Sequence, residues 1–446
     1  MWLLTQKGKK VKMSKDALIE EDLRHIWHPC TQMKDHETIP LMPIKRGEGV
    51  YLFDFDDNAY LDAVSSWWVN LFGHCNAYIN QKVKEQIDTL EHVIFAGFTH
   101  EPIVKLSKRL CALAPKGLEK CFYADNGSSA IEVALKMSFQ YHKNKGEKRP
   151  FFVSLENSYH GETIGALAVG DVKLYKEVFE DILLKTIQAP VPKDQSEEAA
   201  FEASGVLEKI FNEHAGEISA FIIEPLVQCA GGMHMYHPLY IKHARKLCDT
   251  YDIHLIADEI AVGFGRTGKM FACEHAGVSP DFMTLSKGLT GGYLPLSVVL
   301  TTQKVYDAFY CDYSEFKAFL HSHSYTGNPL ACSAANATLD MFEQESILEK
   351  NHEKIAFMAS KLERFKALSN VRSIRQMGMI AAVELQSYPI DFRVNLKVFT
   401  YALRHGVILR PLGNVVYFMP PYVITCKEIE RMMDVAYEAI VSLDSL

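Results

Sequence analysis

Between about residues 76 and 340, short runs of consecutive apolar residues alternate with stretches whose apolar positions recur every three or four residues. Short apolar runs bounded by Gly, Pro or Asp are strands buried on both faces, and the longer spacing marks helices with one buried stripe. The pattern predicts strands over 120–124, 150–155, 219–224, 254–258, 281–286 and 295–301, and helices over 78–92, 101–113, 129–143, 201–214 and 237–251. Such alternation predicts βαβ units on a largely parallel sheet, an α/β fold. Residues 50–62 alternate apolar and polar around Asp57-Asn58, a β-hairpin pattern. After residue 344 a helix over 346–366, strands over 371–375, 379–385 and 415–419, and an amphipathic helix over 426–443 predict a smaller α+β unit. Residues 190–200 read as a loop. The expected division is an N-terminal segment, 1–75, serving the smaller domain and the site; a large domain, 76–340; and a C-terminal small domain, 341–446.

Composition narrows the class without naming an activity. The chain has 446 residues, 48% hydrophobic and 23% charged, with net charge -8, which is ordinary for a soluble protein and carries no basic nucleic-acid footprint. Ten dispersed cysteines, the closest two ten positions apart, form no CxxC and read as reduced thiols. No apolar run has the 18 or so residues of a membrane span. Met1–Thr5 lacks a signal-peptide core and Lys7–Lys15 is a solvated basic stretch; Met13-Ser14-Lys15 offers an alternative start, with the first dozen residues a disordered extension. A cytoplasmic protein is expected. His25 and His28 lack a third metal ligand nearby, so no metal is expected.

Two of the buried strands end on a charge, Asp258 after the first and Lys287 after the second. An unpaired buried charge is costly. The two either neutralise each other or share a ligand such as pyridoxal phosphate, whose aldehyde condenses with a lysine and whose ring nitrogen pairs with an acid. Asp125-Asn126-Gly127-Ser128-Ser129 follows a strand and feeds a helix, with Ser129-x-x-Glu132 as a capping box; it is a phosphate cradle or an ordinary cap. Asn157–Thr163 follows another strand, and its Tyr159 stacks on a flat ring or merely shapes the turn. Gly263-Phe264-Gly265-Arg266-Thr267-Gly268 spells G-x-G-x-x-G. No periodic helix opens at its third glycine and no acid follows at the ribose distance, so a tight loop is expected rather than a nicotinamide site. Ser322–Leu330 is a polar turn before an Ala-rich helix, either a second phosphate contact or a plain helix entry. Trp67 and Trp68, if extended, face opposite ways, so at most one lines a given pocket.

In order along the chain, Asn126-Gly127-Ser128, Tyr159-His160-Gly161, Glu224-Pro225, Asp258-Glu259, Ser286-Lys287-Gly288 and Thr326-Gly327-Asn328-Pro329 resemble the class III aminotransferases. The resemblance covers roughly residues 24–425. It implies fold type I of the pyridoxal phosphate-dependent transferases, with a mostly parallel central sheet. His25–Pro29, Ser65–Trp68, Ala230–Tyr236 and Tyr417–Tyr422 are similar to the branch serving biotin synthesis. That branch implies 8-amino-7-oxononanoate as acceptor and S-adenosylmethionine as donor, or lysine in some relatives; another class III ω-aminotransferase is the alternative.

By the same resemblance, Lys287 holds the cofactor covalently and moves the proton, and Asp258 pairs with the ring nitrogen. Gly127 and Ser128 bind the phosphate, and Tyr159 stacks on the ring and borders the substrate. Ser322, His323 and Ser324 match a turn that reaches into the phosphate site of a second subunit, which implies a homodimer with shared sites. Trp67 matches a pocket wall. Arg410 matches the residue that holds the substrate carboxylate, a task suited to a planar fork. Tyr417 and Arg266 are lesser pocket candidates; for Arg266 a structural ion pair is the alternative. Two departures stand out. Cys30 occupies a substrate-recognition position where the family typically has Tyr. Ser-His-Ser replaces Gly-Pro-Thr in the phosphate turn, with Ser324 keeping the hydroxyl.

Overall fold

The apolar runs assemble into one seven-stranded sheet in the computed structural model, which describes residues 2–4, 10–12, 14–39 and 41–445. Its strands, in chain order, are β1 (Leu118–Ala124), β2 (Phe151–Leu155), β3 (Ile187–Ala189), β4 (Ile218–Ile223), β5 (His254–Asp258), β6 (Phe282–Leu285) and β7 (Ser297–Thr302). Their spatial order is β1-β7-β6-β5-β4-β2-β3. All neighbours are parallel except β7, which runs antiparallel to both β6 and β1.

Both faces of this sheet are covered, which explains the unbroken apolar runs. Ile222, Ile256, Phe282 and Val299 pack with Ile131, Ala134 and Leu135 of helix Gly127–Asn144. Phe221, Leu255, Met283 and Leu300 point the other way, into the core shared with Leu207 and Phe211 of helix Glu197–Glu213 and Ile241 and Ala244 of helix Pro238–Tyr251.

The flanking parts form two smaller sheets. Ile44–Glu48, Tyr51–Asp54 and Ala59–Asp62 form a meander whose last hairpin turns at Asp57, as the alternation predicts. Ala59–Asp62 then pairs in parallel with Val407–Ile408, joining residues almost 350 positions apart. Val371–Met377, Ile380–Leu385 and Val415–Phe418 form an antiparallel sheet.

Several elements escape the apolar pattern, and three of them show why. Helix Lys15–His25 buries no residue, so it leaves no full stripe. Helix Val394–Arg404 and the edge strand β3 are short. Helix Glu197–Glu213 starts inside the expected 190–200 loop because the Ser196 hydroxyl accepts the Ala199 N–H at 3.1 Å. At the N-terminus Trp2–Leu4 pairs antiparallel with Lys10–Lys12, in place of a structureless extension, and the alternative start at Met13 lies outside the described residues. All ten cysteines are free. Among the described residues no helix is long and apolar enough to cross a membrane, and no group of His, Cys, Asp or Glu is arranged for a metal.

Candidate active site

All strands of the large sheet except β7 run the same way and end along one edge, where open α/β sheets place their ligands. Asp258 closes β5 and Lys287 follows β6 by two residues. The Asp125–Ser128 turn after β1 and the Asn157–His160 turn after β2 lie on the same edge, as does Glu224 after β4. Asp258 is 5% exposed. Its Oδ2 accepts from His160 Nδ1 at 2.7 Å, and its Oδ1 accepts from the Ile260 N–H at 3.1 Å and the Thr284 hydroxyl at 3.4 Å. His160 is buried, and its Nε2 has no hydrogen-bond partner among the described residues. Burial pushes the Lys287 ammonium below its ordinary pKa, against the opposing pull of Cys229, Asp258 and Glu224. Burial raises Glu224 to about 7, with Asp258 adding to the shift while His160 and the N–H groups of Tyr159 and Cys229 oppose it.

Helix Gly127–Asn144 begins at the end of β1, but the expected capping box is absent. Asn126 is the cap, accepting the Ser129 N–H at 3.0 Å, while Glu132 reaches away to the Gly165 N–H at 2.6 Å. The correction follows from tertiary structure: Glu132 meets the start of helix Ile164–Val169 before it can fold back on its own helix. The Ser128 hydroxyl contacts Thr163 Oγ1 at 2.7 Å. Gly161 packs over it so tightly that a Cβ there would lie 2.3 Å from Ser128 Oγ, and its φ of +123° also favours glycine.

Above this floor lies a cavity of about 710 Å³, lined by Cys30, Trp67, Trp68, Tyr159, Lys287 and Arg410, with Glu162 and Tyr175 alongside. Asp258, Gly127 and Ser128 are not part of its lining. The two tryptophans overturn the expectation that only one lines a pocket. Ser65, Ser66, Trp67 and Trp68 have φ of 51°, 45°, 75° and 73°, a left-handed turn rather than an extended pair. Both indoles therefore face the same cavity. Lys287 Nζ sits 4.7 Å from the Trp68 ring, and the Arg410 guanidinium sits 4.7 Å from the Trp67 ring. Trp68 is 4% exposed and Trp67 40%.

A left-handed turn costs roughly 1–2 kcal/mol per residue and persists only where its surroundings hold it. The Ser65 hydroxyl donates to the Met419 carbonyl at 2.7 Å, and Ser66 donates to Asp62 Oδ2 at 2.7 Å. His74 Nε2 donates to the same oxygen at 3.0 Å. Burial pushes Asp62 up, but these hydrogen bonds outweigh it and hold the carboxyl below its ordinary value. The Trp68 indole N–H donates to the Tyr417 hydroxyl at 3.1 Å. Tyr417 is thus a buried brace behind Trp68 and not part of the cavity wall.

The other candidates fall in three places. Arg410 Nη2 donates to the Cys30 carbonyl at 3.3 Å, and the Cys30 thiol lies 4.0 Å from Glu162, which also accepts from the Tyr159 hydroxyl at 3.0 Å. Arg266 is 1% exposed and neither lines the cavity nor forms an ion pair among the described residues; it donates to the carbonyls of Pro420 at 2.6 Å and Asn70 at 3.3 Å. Its glycine-rich loop is tight, with a Gly263 Cβ falling 2.8 Å from the Glu259 carbonyl. Ser322 and Ser324 are not buried, and His323 lies beside Asp125 at 3.5 Å; none of the three lines the cavity of its own chain. The sequence assigns no role to His160, Glu162 or Glu224, and leaves Trp68 between core and pocket wall. The first three sit in turns at strand ends, and Trp68 was set against its neighbour by an assumed extended backbone.

An amine and a carboxylate at neighbouring strand ends, with a helix N-terminus on the same edge, define a pyridoxal phosphate-dependent transferase of fold type I. The chain belongs to the class-III aminotransferase family, whose pattern it matches over residues 32–440. It is 54% identical to the adenosylmethionine-8-amino-7-oxononanoate aminotransferase of Helicobacter pylori, over 92% of this chain and 94% of that protein. Identity to the enzyme of that name from Geobacter sulfurreducens is 47%, over 94% and 96%. The crystal structure of the Methanocaldococcus jannaschii enzyme of that name superposes with a TM-score of 0.93 at 40% identity, covering 96% of this chain and 99% of that one. The ω-transaminase of Pseudomonas jessenii in complex with PMP gives 0.90 at 29% identity, covering 96% and 98%.

Members of the family depend on pyridoxal phosphate. The residues present suit that group: a lysine with a depressed pKa, a fixed buried carboxylate, the unpartnered His160 Nε2 behind it, and a cradle at Ser128 that a side chain at Gly161 would fill.

Proposed function

We propose that this aminotransferase passes an amino group from S-adenosylmethionine to the ketone of 8-amino-7-oxononanoate, a step of biotin synthesis, in the cytoplasm. The observation that carries the choice of acceptor is that the Lys287 amine and the Arg410 guanidinium each sit over one of two adjacent indoles lining one cavity. A ketone and a carboxylate joined by an aliphatic chain suit a cavity lined by an amine, two indoles and a guanidinium. The names of the relatives support both acceptor and donor.

When bound, the cofactor supplies an electron sink and holds the amino group between the two half-reactions. Lys287, with its lowered pKa, is the catalytic base and acid that moves the substrate Cα proton. Asp258, fixed by His160, would hold the ring nitrogen, where an acid favours its protonated form. The N–H groups of Gly127 and Ser128 at the helix N-terminus would hold the phosphate. Tyr159 would hold the ring, the indoles of Trp67 and Trp68 would exclude water, and Arg410 would clamp the carboxylate through its fork. Cys30 borders the substrate through a thiol, which cannot repeat the reach of a phenol.

A homodimer and the three-part division of the chain belong to the same proposal. The apolar side chains of Phe316, Leu320 and Tyr325 stand exposed around the turn carrying Ser322, His323 and Ser324, as expected if a partner covers it and receives its hydroxyls. Pairing of Ala59–Asp62 with Val407–Ile408 supports assigning residues 1–75 to the smaller domain.

The test is rescue of a biotin auxotroph lacking this step, together with half-reactions of the purified enzyme followed by cofactor absorbance. S-adenosylmethionine should shift the spectrum and lysine should not. A lysine-driven shift would replace the donor, and failure of rescue in a strain making soluble protein would point to another ω-aminotransferase.

A further inference from the structure

The two cysteines closest in sequence are also joined in space. Cys111 sits near the end of helix Glu101–Leu113, and Cys121 sits in the middle of β1 opposite Leu300 of β7. The four residues Ala114–Gly117 fold the helix end back along the strand, and the two sulfurs lie 3.7 Å apart, with Cys121 Sγ also 3.9 Å from the Ser107 carbonyl. Both residues are only partly buried, unlike Cys229, Cys248, Cys273 and Cys332. The pair lies outside the cavity, and the mechanism above makes no use of it.

We propose that Cys111 and Cys121 are a redox modification site, a dithiol that a hydroperoxide closes to an intramolecular disulfide. Cys111 is the attacking sulfur. The 3.7 Å contact with Cys121 holds the Cys111 pKa down to about 7, which favours the thiolate. The Cys111 thiolate attacks the terminal oxygen of the peroxide, the O–O bond breaks, and hydroxide leaves, oxidising Cys111 to the sulfenic acid. The Cys121 sulfur then attacks the Cys111 sulfur, the S–O bond breaks, and the oxygen leaves as water with the Cys121 proton. In sum, two thiols and one hydrogen peroxide give one disulfide and two waters. Disulfide formation brings the sulfurs from 3.7 Å to about 2.05 Å. The resulting bond ties the helix to the strand that runs into the Asn126–Ser128 turn.

Peptide mapping of the holoenzyme tests this. The enzyme is treated with hydrogen peroxide at neutral pH, remaining thiols are blocked with N-ethylmaleimide, and the protein is digested with trypsin. Cleavage after Lys116 and Lys120 separates the two cysteines, so the bond appears as a linked peptide pair that dithiothreitol releases. The expected result is that link in the unmutated enzyme and its loss in both Cys111→Ser and Cys121→Ser. Cys111 recovered as sulfinic or sulfonic acid beside an alkylated Cys121 would overturn the proposal. So would recovery of both thiols alkylated while the exposed Cys30 is oxidised, or a link from Cys121 to any other cysteine.

Discussion

Lys287 and Asp258 reach the site from the ends of neighbouring strands, whereas Trp67 and Trp68 reach it from a turn wound in the left-handed sense. The floor is placed by sheet register: Asp258 pairs opposite Thr284, so the end of β5 and the start of the Lys287 loop are fixed by backbone hydrogen bonds. The wall has no such ladder. It depends on Asp62, His74, Ser66, Met419 and Tyr417, drawn from both ends of the chain, to hold a conformation the backbone disfavours. Damage to the floor should therefore act mainly on chemistry, and damage to the wall mainly on substrate affinity and stability.

The sharpest break in that contrast comes at Lys287. Lys287→Ala is expected to lower kcat by at least about 10³-fold and to leave no borohydride-reducible adduct, with urea stability little changed. Full turnover by that variant would remove Lys287 from the catalytic role. Asp258→Asn should follow, with kcat down by about 10²-fold or more and a weakened hold on pyridoxal phosphate read by spectral titration.

A third effect belongs to the floor but is read in stability. Burial raises Glu224 in the folded state, to about 7 from its ordinary 4.5. The folded protein therefore binds this proton more tightly than the unfolded chain. Its contribution is fully present below about 4.5 and is lost as pH rises through about 7, a change on the order of 3 kcal/mol. Urea midpoints of the apoenzyme between pH 5 and 8 should fall less steeply in Glu224→Gln than in the unmutated protein.

The wall gives smaller and different signals. Arg410→Lys should raise KM for 8-amino-7-oxononanoate by roughly 10-fold with kcat nearly unchanged, because a point charge replaces a bidentate fork. An equal loss in kcat would place Arg410 in the chemistry instead. The least change is expected from Tyr417→Phe, which leaves the Trp68 N–H without its acceptor. A stability loss of about 1–2 kcal/mol, with a modest rise in KM, should result.

The strand ends were legible because a buried parallel strand is a short apolar run, and the first charge after it marks its carboxyl end. That is how Asp258 and Lys287 stood out. Their partners were less visible. His160 and Glu224 sit in turns whose direction is set by packing, and no periodicity shows that His160 will meet a carboxylate 98 positions away. The capping box failed for a similar reason, since Glu132 found two backbone donors on another helix. Among the described residues Arg266 forms no ion pair because its buried guanidinium donates to carbonyls, which sequence does not reveal.

By itself, the order of apolar runs determined the α/β sheet, the hairpin at Asp57 and the placement of an acid and an amine at strand ends, because those follow from local periodicity and from where burial stops. The resemblance in short motifs carried the family. Only tertiary structure decided the handedness of the Ser65–Trp68 turn, the brace role of Tyr417 and the meeting of Cys111 with Cys121. A left-handed backbone, a hydrogen bond across 349 positions and a sulfur contact between helix and strand all depend on long-range packing, which overrides what any short stretch prefers alone.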